Sequence, residues 1–188
     1  MNDTASFAPV LGAVVGGLLG WGAAVFSEPL RERLFAPRLV IDCPQNANRG
    51  ETDQDLYIKV RVQNNRTKMA KDCRVFLVGV QEIRDGLPIG AALLSDSFQL
   101  PWSGYDFEPR DIPRGLYQFV DIVRFSKHSP GWIFATKPKF YASLGNRTQF
   151  RGTYRLAILA AADGTPPSLK QIDVFYDGDW HQARAREA

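Results

Sequence analysis

LYIKVRVQ, residues 56–63, alternates apolar and polar side chains without a break. Ile58, Val60 and Val62 fall on one side of an extended chain, and Tyr57, Lys59, Arg61 and Gln63 fall on the other, because successive strand side chains point to opposite faces. A helix, repeating about every 3.6 residues, would scatter the same residues around its circumference, so the segment reads as a strand with one buried and one wet face. Asn64, Asn65, Arg66 and Thr67 make a turn cluster. CRVFLVGVQEI, residues 73–83, follows and is apolar on both faces, as a strand in the middle of a sheet is expected to be.

The same grammar continues in both directions. Strands are expected at 38–43, 93–100, 116–125, 132–141, 153–161 and 169–176, separated by turn signals such as Asp85 with Gly86, Pro130 with Gly131, Asp163 with Gly164, and Asp177 with Gly178. Seven to nine short strands without helical periodicity define an all-β chain, an antiparallel immunoglobulin-like β-sandwich over residues 38–180. The polar residues 181–188 read as a flexible tail.

One stretch carries a family resemblance. In LYIKVRVQNNRTKMAKDCRVFLVGV, residues 56–80, a strand ends in Asn64, a turn containing Thr67 and the small Ala70 follow, and the next strand opens at Asp72. This pattern resembles the early hairpin of bacterial immunoglobulin-like domains of the CARDB type. Those domains are mostly extracellular adhesion or scaffold modules, so the resemblance implies a fold and no chemistry. One span, a basic linker and such a sandwich are also similar to the arrangement of uncharacterised bacterial membrane proteins.

The span is expected at residues 7–26, FAPVLGAVVGGLLGWGAAVF, behind a short tail at 1–6. Twenty uncharged residues at about 1.5 Å each make a helix of roughly 30 Å, the thickness of a hydrocarbon core. No Lys or Arg precedes the stretch, whereas Arg31, Arg33 and Arg38 follow closely. Basic flanks stay on the cytoplasmic side, which places the N-terminus outside and the domain in the cytoplasm, at the inner (cell) membrane. The alternative is a cleaved signal peptide, which wants a basic leading region and a small-residue cleavage site. Here the chain opens with Met1, Asn2 and Asp3, and the stretch ends in Val25, Phe26 and Ser27.

Ala8, Gly12, Gly16, Gly20 and Ala24 recur every fourth residue and form a small-residue face for helix packing, either between copies of the chain or against a partner helix. The alternative is that glycine is simply common in membrane helices. Residues 27–37 read as an interfacial linker helix, with Leu30, Leu34 and Phe35 on the lipid surface and Arg31 and Arg33 at the head groups.

Composition narrows the function classes. The 188 residues carry a formal net charge of +3, a mild excess that suits anionic lipid and is too diffuse to argue for nucleic acid. His128 and His181 lie far apart and outside any HxxxH or CxxC spacing, so no metal site is expected. Asp177, Gly178 and Asp179 have a faint calcium-loop look and read better as a turn. No nucleophile elbow or phosphate loop occurs, Cys43 and Cys73 read as buried thiols, and no catalytic residue or cofactor is expected.

The loop at 101–115 concentrates recognition-type side chains. Trp102, Tyr105, Phe107, Arg110 and Arg114 form a candidate partner-binding loop, against the plainer reading that Trp102 and Phe107 cover an open end of the core. The expectation is a non-enzymatic, membrane-anchored scaffold that contacts lipid, other copies or a partner helix, and a protein partner. Alternatives are a membrane effector sensing a nucleotide-like signal in defence or stress, and an exported adhesion or envelope module.

Overall fold

A computed structural model of the chain describes residues 35–45, 48–89, 96–104, 106–128, 131–137 and 151–188. The expected span at 7–26, its packing face (Ala8, Gly12, Gly16, Gly20, Ala24) and residues 27–34 of the linker lie outside the described residues. Among the described residues no helix is long and apolar enough to cross a membrane.

Pro37–Ala188 form a unit of their own. Twelve strands are described: β1 (Leu39–Asp42), β2 (Arg49–Glu51), β3 (Asp55–Asn64), β4 (Ala70–Arg84), β5 (Leu87–Ile89), β6 (Phe98–Leu100), β7 (Arg110–Ile112), β8 (Tyr117–Ser126), β9 (Trp132–Phe134), β10 (Gly152–Ala162), β11 (Thr165–Tyr176) and β12 (Arg184–Glu187). Every pairing described is antiparallel. The first sheet runs β1-β3-β8-β9, with β2 alongside the other end of β3. The second runs β12-β11-β10-β4, and β7, β6 and β5 pair in turn with successive parts of β4. The fold is therefore an all-β, sandwich-like pair of antiparallel sheets.

The alternation in β3 does what the sequence requires. Ile58, Val60 and Val62 are fully buried, and they share one core with Leu77, Leu156, Ile158, Ile172 and Val174 of the second sheet. Where the pattern breaks, the ladder bulges. Ile122 is an extra residue in β8 opposite Ile58 and Lys59, which lets both Val120 and Val123 face the core. Val78 plays the same part in β4, so Leu77 and Val80 both point inward. The unbroken apolar run at 73–83 thus belongs to a strand central in its sheet but buried on one face, with Phe76 and Val78 half-buried on the other.

Some expectations change. Asp85 and Gly86 make the expected turn, and what the sequence did not show is the short strand after it. Both turn residues sit at positive φ, 52° and 79°, and they make a two-residue hairpin into β5. Of the strand expected at 93–100 only 98–100 is strand, as β6, with 96–97 irregular and 93–95 outside the described residues. Of the one expected at 132–141 only 132–134 is strand, as β9, with 135–137 irregular and 138–141 outside the described residues. Residues 181–188 are not a loose tail: β12 pairs with β11, and Ala183 and Ala185 are buried. The domain runs to the last residue.

Asn64 closes one end of the sandwich. Its buried amide nitrogen donates to the carbonyls of Lys68 (2.7 Å) and Ile112 (3.0 Å), and its Oδ1 accepts from the backbone of Arg66 (3.1 Å) and Arg38 (3.4 Å). Its own main chain bonds Leu116 and Gly115. Asn64→Ala strips buried backbone groups of partners and is expected to cost about 1–3 kcal/mol. Asn64→Asp sets a carboxylate against two carbonyl oxygens and is expected to cost more. Urea unfolding followed by tryptophan fluorescence checks the order.

Candidate functional site

The 101–115 loop is mostly a tie between the two sheets. Leu100 pairs with Val75 of β4 in the second sheet, and two residues later Trp102 bridges Val120 of β8 in the first. The chain changes sheets at Pro101, whose carbonyl accepts from the Asp121 amide, while Ser103 N–H donates to Phe119. Trp102 is only 1% exposed, and its indole N–H donates to the Glu108 carbonyl at 3.0 Å. It presents no ring to a partner.

Arg110 is turned toward its own loop. Its Nε and Nη2 reach Asp106 at 3.1 and 2.8 Å, and Nη1 reaches Gln118 at 3.2 Å. The Glu108 amide and Arg110 together hold the Asp106 carboxyl below its usual range. Phe107 is half-buried with the Lys137 ammonium over its ring, and Arg114 is exposed at the turn before Gly115. Tyr105 lies outside the described residues. Of the five residues expected to bind a partner, then, Trp102 is core and Arg110 is engaged in its own loop.

Buried polar groups nearby are structural as well. Asp121 is 3% exposed, accepts from Ser103 Oγ at 2.9 Å and faces Lys59 at 3.7 Å; burial pushes its carboxyl up against those partners. Cys43 and Cys73 are free and buried. Burial raises both thiols, Cys73 to about 11, so each is held as a neutral thiol near pH 7, the wrong state for a nucleophile. Asp177 and Asp179 cap their own turn, accepting from the backbone amides of Asp179 and His181. Among the described residues no group of three His, Cys, Asp or Glu is placed to hold a metal.

A different site lies at the opposite edge. Between the β1–β2 connection and β10–β12 opens a cleft of about 600 Å³. Asn48 sits at its back, 4% exposed, donating to Cys43 Sγ (3.5 Å) and to the Ala185 carbonyl (3.1 Å), and so ties the first sheet's connection to the second sheet's outermost strand. Arg49 stands on one wall and Arg184 and Arg186 on the other. The Arg184 guanidinium lies 4.8 Å from the centre of the Phe175 ring. Asp173 also lines the cleft, but it is 5% exposed and gripped by Arg155 through two bonds of 2.8 and 3.0 Å.

The polar composition of residues 181–188 conceals this site in the sequence. The signal was present: Ala183, Arg184, Ala185 and Arg186 alternate with the period of a half-buried strand. Neither protein-family models nor curated proteins give a match to the chain.

Trp102→Ala is expected to cost about 3–5 kcal/mol, the range for emptying a buried aromatic site, whereas Arg110→Ala, which breaks a partly exposed pair, should shift the urea midpoint little. A second expectation concerns pH. In the unfolded chain Cys73 ionises near pH 9, and in the folded chain it keeps its proton to about 11. The native state binds more protons in that window, so stability falls as pH rises from 9 to 11. Cys73→Ala should flatten that slope in unfolding measured across the window.

Proposed function

We propose that the chain is a non-enzymatic, membrane-anchored interaction protein. A span at residues 7–26 holds it at the inner membrane, with the N-terminus outside, and an immunoglobulin-like sandwich in the cytoplasm meets a protein partner. The carrying observation is the twenty-residue uncharged stretch with arginines on one flank only. The glycine-bearing face of that stretch supports association between spans, in copies of the chain or with a partner helix. A CARDB-like identity for the domain is supported by the places its residues occupy. Asn64 closes β3 with four side-chain hydrogen bonds, Ala70 is fully buried at the start of β4, and Asp72 takes a positive φ of 51° with its amide on Asp111.

A second reading is favoured by the arginine-lined cleft: the domain senses a small anionic signal and the anchor passes it into the bilayer. Cell fractionation with alkaline carbonate washing tests the anchor. The full chain is expected to stay with membranes and to need detergent for release, and protease added to intact cells is expected to spare the domain. Digestion from outside would make it an exported module, and recovery in the aqueous fraction would remove the anchor.

A further inference from the structure

Five of the six arginines elsewhere on the described strands have acidic partners, and the sixth, Arg74 on β4, is a lone exposed arginine away from any other. Arg61 pairs with Asp42, Arg84 with Glu82, Arg110 with Asp106, Arg124 with Asp55 and Arg155 with Asp173. Arg49, Arg184 and Arg186 differ. Among the described residues none of them is in an ion pair, and all three line one cleft. They approach it from two sheets, and like charges gathered this way repel unless an anion sits among them.

Among the described residues the one carboxylate in the lining, Asp173, spends both oxygens on Arg155, which leaves it poorly placed to neutralise Arg186 opposite it on β12. The cleft is also preformed. Asn48 fixes the β1–β2 connection to β12, and Phe175 supports the Arg184 guanidinium from below.

We infer that this cleft binds a phosphate-bearing small molecule, with Arg49, Arg184 and Arg186 as its ligands. Planar guanidinium forks match phosphate oxygens two at a time, which a scattered lysine surface does not. A volume of about 600 Å³ is within the range of small-molecule sites and exceeds what a lone phosphate fills, so the phosphate carries an organic body. The same chemistry is offered by a soluble phosphate ester and by a phospholipid head group. The inference deepens the signal-sensing reading and does not depend on the anchor, which fractionation tests separately.

The test uses the full chain in detergent, titrated with ADP and with inorganic pyrophosphate by calorimetry and thermal shift. Saturable binding is expected, weakening as salt rises. Arg184→Gln with Arg186→Gln, and Arg49→Gln alone, should each lower ADP affinity about tenfold or more, since each removes a charged hydrogen bond. Melting without ligand should change little, because these side chains are exposed and in no ion pair, and only the Arg184 contact with the Phe175 ring is lost. Arg74→Gln, an exposed arginine outside the cleft, should leave affinity unchanged.

A second arm reconstitutes the chain in phosphatidylcholine bilayers with or without phosphatidic acid. Loss of ADP binding by the unaltered chain only when phosphatidic acid is present assigns the site to a head group; persistence of ADP binding assigns it to a soluble ester. Absence of saturable binding to every probe, or equal loss in Arg74→Gln, overturns the inference.

Discussion

A buried asparagine must have partners for both ends of its amide, and Asn64 finds four of them in three separate parts of the chain. Leaving such a group unpaired away from water costs more than the net gain of making any one bond. The geometry of the β3–β4 turn, the end of β7 and the approach to β1 is therefore set jointly. Once these are fixed, the phase of β3 is fixed too, because a slip of one residue would send Ile58, Val60 and Val62 to the wet face. The shared core between the sheets follows from that phase.

The second asparagine works at the far edge and serves a different end. Asn48 bonds the Ala185 carbonyl, on the edge of β12 that faces away from β11. An outer strand with bare carbonyls invites another chain to add to it, and a side-chain amide placed there blunts that tendency. In doing so it props the two sheets at the spacing that leaves the arginine-lined cleft. Charge arrangement and edge protection arise from the same contact. The contrast with the 101–115 loop is instructive: that loop has the composition of a recognition surface, yet the need to carry the chain from one sheet to the other consumes Trp102 and much of Arg110.

Local pattern was enough for the all-β class and for the long strands, because burial on one face writes a period of two into residues 56–63 and 153–161. It failed where a strand's identity comes from its neighbour. β2, β5 and β7 are three residues each, too short to show a period, and they exist because β3 and β4 offer them an edge. β12 is short as well, and its one buried alanine, Ala185, is a faint apolar signal between arginines. The cleft was illegible for the same reason: Arg49 and Arg184 are far apart in sequence, and only the pairing of β2 to β3 and of β12 to β11 brings them to one opening. The Trp102 environment was half legible, since a tryptophan in a loop can equally cover a core or face a partner.

The length of β4 has a kinetic side. Its fifteen residues pair along much of one edge with β10, which is made only after some seventy further residues have been strung out. Closing so wide a loop has to precede the gain from zipping the ladder, which slows the search for the native arrangement. Meanwhile the nascent ribbon from Val75 to Val80 is greasy, β-prone and only partly covered by β6, the condition under which chains adhere to one another. Refolding of this domain should thus be slow and strongly sensitive to protein concentration, with dilution favouring recovery.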